Sequence, residues 1–483
     1  MNQIFNYLSA NSDLLIGNDS SEFPPIIHQK FEYLIKKIHR EASSKIFISE
    51  PTPSKFITSF IAAVAAGGQV FLCNPNWGKQ EWEQVLKLVQ PDIIFGTTPV
   101  YQKFLGVTLE KNSGIFLNKP CMKSIPTDNK SHEIFPDNSI MIPTGGSSGK
   151  IKFAIHTWET LIASVEGFQK YFQLQQINSF CVLPLYHVSG LMQLMRSFSS
   201  GGKLLILPSY KDIFQKTEWD INPKDFFISL VPTQLQSLLQ NGETASWLSS
   251  FQTVLLGGAP AWQELFDIAR KYQIKLAPTY GMTETASQVV TLKPEDFLAG
   301  NNSNGQILPH AQIIVKSETG EILGQNKIGN IRIKAESLAL GYYPKIFNNS
   351  ETFTTDDLGF FDSKGFLNIV GRRSQKIITG GENVFPVEVE AAILKTGLVT
   401  DVCVIGLPDK YWGEVVTAIY VDNDLEVTVE KLLAAINGKL SKFKQPKYWV
   451  RVESLSRNSQ GKINRELLKE IAIQRIGKLY DKD

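Results

Sequence analysis

Cysteine is scarce in this chain, and the four present, Cys73, Cys121, Cys181 and Cys403, lie far apart. None stands at the short spacing of zinc ligands or redox dithiols, so both are set aside, and a reducing compartment, the cytoplasm, is expected. The six histidines are equally scattered. Excess charge is missing too. A formal net charge of +2 gives no electrostatic case for nucleic acid or an anionic membrane as the main partner. The longest mainly apolar stretch, residues 60 to 72, is broken by Gly67 and Gly68 and is too short to span a bilayer. It reads as a buried helix feeding a strand. Residues 1 to 20 carry no basic region followed by an apolar core, so no secretory signal is expected.

What is present is a globular chain of more than one domain. At 483 residues it exceeds a single ordinary core, and 43% apolar against 20% charged residues excludes disorder. Short apolar runs alternate with amphipathic stretches. Strands are expected at 70–73, 93–96, 180–183, 204–207, 226–231 and 253–256. Helices are expected at 79–89, 158–171, 234–239 and 262–271. That alternation argues for parallel α/β layers. From about His310 the pattern changes to strands broken by glycine, which suggests a small β subdomain. After Gly371-Arg372-Arg373 comes a mixed tail, with helices at 386–395 and 429–440 and strands at 399–405 and 414–421. A boundary near residue 372 leaves a C-terminal unit large enough to be a domain.

Residues 143–152, Pro-Thr-Gly-Gly-Ser-Ser-Gly-Lys-Ile-Lys, hold three glycines, three hydroxyls and two lysines. Glycine-rich backbone with hydroxyl and ammonium groups suits a polyanion such as phosphate, although a flexible turn has the same composition. The common nucleotidase loop is excluded, because Thr144 and Ile151 stand where it needs glycine and a hydroxyl residue. Further polar residues stand at the ends of expected strands, where ligands of open α/β sheets bind. His187 follows one strand. Gly257, Gly258 and Ala259 follow another, placed either to let a flat ring approach or merely to turn the chain. Glu284, between Thr283 and Thr285, offers oxygen ligands of the kind Mg²⁺ prefers, or is a surface charge. Asp356 and Asp357 could hold ribose hydroxyls or form an acidic turn.

In order, these segments resemble the adenylate-forming acyl-CoA ligase superfamily from about residue 45 to 475. Thr144 to Lys152 is similar to its phosphate loop, with Ser148 for threonine and Ile151 for proline. Tyr280 to Glu284 matches its Tyr-Gly-x-Thr-Glu. Thr355 to Gly359 resembles Thr-Gly-Asp-Leu-Gly, with Asp356 for glycine. Gly371-Arg372 matches the ribose-binding arginine. Gly461, Lys462 and Arg465 resemble its C-terminal Gly-Lys-x-x-Arg, with Ser456 for a preceding proline.

The resemblance implies an α/β fold. A large N-terminal domain, residues 1–372, has two βαβ-layered subdomains and a small β-barrel subdomain at about 310–372. A smaller mobile α+β C-terminal domain, residues 373–483, follows. The implied reaction joins a carboxylic acid to coenzyme A through an acyl-adenylate made from Mg·ATP. Glu284 would hold Mg²⁺ and Thr283 the α-phosphate. Thr144, Gly145, Gly146, Ser147, Ser148, Gly149 and Lys152 would surround the other phosphates. Asp357 and Arg372 would clamp the ribose, and Tyr280, Gly258 and Ala259 would flank adenine. Lys462 would meet the carboxylate and α-phosphate. The C-terminal domain would pivot at Ser374, bringing Gly380 and Gly381 to the channel for CoA.

For the acid, Arg196 follows His187 and Ser189 beyond an apolar run. An arginine in an acyl pocket is costly beside a fatty chain and suits a second carboxylate; on the helix's outer face it would be a plain surface charge. The arrangement resembles that of the o-succinylbenzoate–CoA ligases of menaquinone and phylloquinone synthesis, with Thr233, Gly257 and Ser287 also toward the acid. A ligase for an aryl or medium-chain fatty acid, or a stand-alone enzyme loading a carrier protein, are the alternatives. A homodimer is compatible with all of them.

Overall fold

The computed structural model describes residues 14–16, 23–38, 44–96, 115–116, 136, 138–145, 150–214, 220–347, 352–422, 427–457 and 463–480. Four sheets organise these residues. The first contains β1 (Lys45–Ile48), β2 (Gln69–Leu72), β3 (Ile93–Phe95), β4 (Ile115–Phe116), β5 (Ile140–Gly145), β6 (Ile151–His156), β16 (Gly341–Tyr342) and β17 (Lys345–Ile346). Its order is β17-β16-β6-β5-β2-β1-β3-β4. The centre, β5-β2-β1-β3, is parallel, while β6 returns antiparallel along β5.

The second sheet contains β7 (Asn178–Cys181), β8 (Leu204–Ile206), β9 (Phe226–Leu230), β10 (Thr253–Leu256), β11 (Leu276–Met282), β12 (Ser287–Thr291) and β13 (Gln306–Ile307), in the order β13-β12-β11-β10-β9-β7-β8. Strands β8 to β11 are parallel, and β12 and β13 add an antiparallel edge.

Strand alternation explains why both sheets read as unbroken apolar runs. On the first, Ile46, Ile48, Val70, Leu72, Ile140 and Ile142 face one core, while Phe47, Phe71 and Met141 face another with Trp77 and Trp82. Phe227, Leu255 and Ala277 of the second sheet join that first core, and their neighbours Phe226, Ile228, Val254, Leu256 and Leu276 face away from it. Successive side chains on a strand point to opposite faces, so a sheet covered on both sides needs apolar residues at every position. Helices Pro53–Ala65, Trp158–Phe172 and Val188–Ser200 fill the shared core. The first starts with Pro53 in its opening turn, where the missing N–H is harmless, and buries all ten residues from Phe56 to Ala65. Truncating a fully buried ring such as Phe60 to alanine costs ~3–5 kcal/mol in such a core.

The expected small β subdomain is a four-stranded antiparallel sheet of β14 (Ala311–Lys316), β15 (Gly329–Ala335), β18 (Phe353–Phe361) and β19 (Leu367–Arg372). The last sheet has β20 (Ile377–Thr379), β21 (Glu382–Val384), β22 (Val399–Asp409), β23 (Gly413–Asp422) and β24 (Tyr448–Arg451), with helices Pro386–Leu394, Val429–Ile436 and Arg465–Tyr480. A short 3₁₀ turn, Arg373–Gln375, connects the third sheet to the fourth. Among the described residues no helix is long and apolar enough to cross a membrane.

Candidate active site

The glycine-rich segment spans the β5–β6 hairpin. Thr144 stands opposite Lys152, and Gly145 opposite Ile151. Gly146, Ser147, Ser148 and Gly149 lie outside the described residues. The Lys152 ammonium sits 5.3 Å from the centre of the Tyr342 ring, within cation–π range.

Tyr280 to Met282 belong to the end of β11, which pairs antiparallel with β12. Gly281 permits this close approach, because a Cβ there would meet the Ser287 carbonyl oxygen at 2.0 Å. A 3₁₀ turn, Thr283–Thr285, follows, and then Ala286 and Ser287 adopt φ of 49° and 96°. Positive φ at non-glycine residues costs about 1–3 kcal/mol each and persists only where the surroundings enforce it. Here Ser164 Oγ donates to the Ala286 carbonyl at 2.7 Å, Thr285 Oγ1 to that of Ser287 at 2.6 Å, and Ser337 Oγ to that of Thr285 at 2.9 Å.

Two side chains that no motif singled out hold Thr283 and Glu284. Burial pulls the His156 imidazole down to about 4, against a smaller upward pull from its bond to the Thr283 carbonyl. It is therefore neutral at pH 7, with Nε2 2.8 Å from the Thr283 carbonyl oxygen. Tyr342, opposite Ala154 of β6, donates its hydroxyl to Glu284 Oε1 at 2.5 Å. The Glu284 main chain is fixed by the Ala339 N–H, 2.8 Å from its carbonyl oxygen. Glu284 is buried, and among the described residues it pairs with no lysine or arginine. A buried carboxylate without its own cation suits a hard divalent ion such as Mg²⁺.

Asp357 joins β11 to the third sheet. Its Oδ2 accepts the Tyr280 hydroxyl at 2.7 Å, and its Oδ1 lies 3.3 Å from Nε of Arg372, its partner across β18–β19. Burial first, then the Asp357 charge, pushes the Tyr280 phenol well above its ordinary value, so it stays a donor. Gly258, at φ 85°, and Ala259 are exposed beyond β10, and Gly257 lies against the Thr279 hydroxyl.

The expected acid-binding residues are only partly gathered. Arg196 faces inward rather than lying on the helix surface: it is 3% exposed and donates to Ser287 Oγ at 3.1 Å and Gln288 Oε1 at 2.6 Å. Its guanidinium lies 4.4 Å from the Phe168 ring centre. Among the described residues no carboxylate pairs with it, and Nε has no hydrogen-bond partner. Burial pulls its pKa down to about 9, still above neutrality, so the charge remains. His187, buried, stands at the N-terminal boundary of the same helix without a side-chain capping bond, its ring 4.5 Å from that of Tyr186. The Ser189 carbonyl accepts from Gln193 Nε2 at 3.0 Å. Thr233 is exposed on the first turn of helix Pro232–Leu239.

In the C-terminal part, Gly380 and Gly381, at φ 59° and 86°, form the β20–β21 turn. A Cβ on Gly380 would strike the Trp412 ring at 2.8 Å. Ser374 donates its N–H to Asp356 Oδ1 at 3.2 Å and its hydroxyl to Oδ2, with Arg373 Nε 3.9 Å from Oδ1. Gly461 and Lys462 lie outside the described residues. Arg465 turns into the C-terminal core and meets Glu390 at 2.8 Å and the Val404 carbonyl at 2.5 Å.

Two family descriptions match this chain. That of the AMP-binding enzymes covers residues 33–343, and that of the AMP-binding enzyme C-terminal domain covers residues 388–462. The 2-succinylbenzoate–CoA ligase of Geobacillus sp. (strain WCH70) is 32% identical over 360 residues, 72% of this chain and 73% of its own. Among solved structures, o-succinylbenzoate CoA synthetase from Bacillus subtilis, in complex with the acyl-adenylate intermediate OSB-AMP, superimposes with a TM-score of 0.82. It has 26% identity and covers 97% of this chain and 98% of that one. The same enzyme with ATP and magnesium ion gives 0.80 at 25% identity, covering 97% and 99%.

Proposed function

The chain belongs to the AMP-binding enzyme family, and on that premise we propose that it joins 2-succinylbenzoate to coenzyme A, forming AMP and diphosphate from ATP. The observation that carries the choice of acid is Arg196. A buried guanidinium without a carboxylate beside it would be badly placed in a fatty-acyl tunnel. It suits an acid with a second carboxylate at its far end. The Ser287 hydroxyl and the Phe168 ring hold the guanidinium in one orientation, ready for a two-oxygen ligand.

In the first step a carboxylate oxygen of the acid attacks the α-phosphorus of ATP. The bond to the bridging oxygen breaks, and diphosphate leaves with the electron pair. In the second, the CoA sulfur attacks the acyl carbon and AMP departs as the thioester forms. Thr144, Lys152 and the residues between them hold the leaving diphosphate. Thr283 meets the α-phosphate, and the neutral His156 fixes the main chain that carries it. Glu284 would hold Mg²⁺, which when bound lowers the charge on the phosphates. Asp357 and Arg372 hold the ribose, with Tyr280, Gly258 and Ala259 around adenine. His187 borders the reacting carboxylate, and Ser189, Thr233 and Gly257 stand on the acid's side. Lys462 brings a positive charge to the attacking carboxylate and α-phosphate. Losing one such preorganised donor costs ~3 kcal/mol, about a hundredfold in rate.

We divide the chain at residues 372 and 373, with Ser374 as pivot and Gly380 and Gly381 lining the CoA path. The buried free thiols Cys73, Cys181 and Cys403 fit a reducing cytoplasm, and the product would feed menaquinone or phylloquinone synthesis. The test is ATP- and CoA-dependent AMP release over o-succinylbenzoate, coumarate, benzoate and octanoate. A strong preference for o-succinylbenzoate is expected, and a preference for any monocarboxylate overturns the choice of acid.

A further inference from the structure

Lys152 and Glu284 are 132 positions apart in sequence, yet one side chain touches both. The Tyr342 hydroxyl donates to Glu284 Oε1 at 2.5 Å, and the ammonium of Lys152 lies 5.3 Å from the ring centre. The ring is itself fixed. Its strand β16 pairs with β6 at Ile155 and Ala154, and Phe347 packs edge-on against it at 5.4 Å.

We propose that Tyr342 is a positioning residue for the metal carboxylate, fixing Glu284 so that Oε2 alone is presented to the divalent ion that accompanies ATP. This rests on the assignment of Glu284 above. A carboxylate with both oxygens free can swing between one- and two-oxygen contacts, whereas Mg²⁺ demands near-octahedral angles. Occupying Oε1 with a rigid phenol removes that freedom. Partners that orient a metal ligand typically change metal affinity 10–100-fold when removed. The Tyr342 ring has a second use, as a flat support for the Lys152 ammonium 5.3 Å from its centre.

The test uses the full-length enzyme and Mn²⁺ as probe. Mn²⁺ binding in the presence of ATP, read by electron paramagnetic resonance with no acid added, should weaken about tenfold in Tyr342→Phe. The Mg²⁺ concentration for half-maximal ATP–diphosphate exchange should rise in parallel. The rate at saturating Mg²⁺ and the KM for the acid should stay within about threefold, and Tm should hold. In a Glu284→Gln background, Tyr342→Phe should produce no further loss of Mn²⁺ affinity. Tyr342→Leu, which also removes the ring, should add a rise in the KM for ATP. Unchanged Mn²⁺ affinity in Tyr342→Phe, or additive effects of Tyr342→Phe and Glu284→Gln, would overturn the proposal. A wild-type enzyme that binds Mn²⁺ and ATP but makes no acyl-CoA would instead sink only the proposed ligase activity.

Discussion

Arg196 in the N-terminal part is buried and Arg465 in the C-terminal part half-buried, and they accommodate their charges by opposite routes. Arg465 is enclosed with its own anion. Burial disfavours its charge more than any one neighbour favours it, but Glu390, 2.8 Å away, and Cys403 together outweigh burial and hold the guanidinium above its usual value. Arg196 has only neutral acceptors, Ser287 and Gln288, and its pKa falls. Burying a charge is expensive unless it is paired, so the first arrangement is complete as it stands. The second holds no anion of its own among the described residues, and the acid proposed above would supply one.

The sharpest way to break this contrast is to remove each cation in turn. Arg465→Met leaves the half-buried Glu390 without its cation, held among the described residues only by the Val404 N–H at 2.8 Å, and should cost about 3 kcal/mol in denaturant unfolding, with partial recovery on adding Glu390→Gln. Arg196→Met should lower kcat/KM for o-succinylbenzoate by about 2–4 kcal/mol in transition-state terms, while the KM for ATP stays put. The same variant should unfold no more easily than wild type, and up to about 1 kcal/mol less easily, because it removes a desolvation cost that the neutral partners Ser287, Gln288 and Phe168 offset only in part. If Arg196→Met destabilises as Arg465→Met does, the two arginines are alike and the ligand reading of Arg196 fails.

The buried imidazole of His156 sharpens the comparison from another side. A guanidinium must keep its proton at neutral pH, whereas an imidazole can surrender it and avoid the problem. The His156 folded-state value of about 4 is below the ordinary 6.5, so the unfolded chain takes up its proton first as pH falls. Its contribution is intact above about 6.5 and is lost progressively down to about 4. Unfolding scans between those limits should show a shallower loss in His156→Gln than in wild type.

Much of this layout was legible in the chain itself. The strand Thr253–Leu256 and the helix start at Trp158 fall where the periodicity places them, since apolar runs on doubly covered sheets leave little choice. The ordered motifs pointed to Asp357, Arg372, Tyr280 and Glu284, and contacts tie them into two clusters, Tyr280–Asp357–Arg372 and Glu284–Tyr342. Tyr342 and His156 were invisible for a physical reason. Each acts on a residue 58 or 127 positions away through the pairing of strands, and neither sits in a local composition that advertises a role. The strand pairing of Tyr280 to Met282 was equally hidden, because it depends on the antiparallel neighbour β12. Arg196 could be suspected from its place in an apolar helix, but its lack of an anion appears only once the surrounding side chains are in place.

Asp356 and Asp357 are consecutive on β18, so their side chains leave the strand from opposite faces. One carboxylate grips Tyr280 and Arg372, the other Ser374 and Arg373. Such a strand works like the beam of a balance. Any roll about its long axis that draws Asp357 inward swings Asp356 the other way, against the bend where the chain enters its last sheet. The contacts of Tyr280 and Arg372 and the bend at Ser374 are thereby tied to one short stretch of strand.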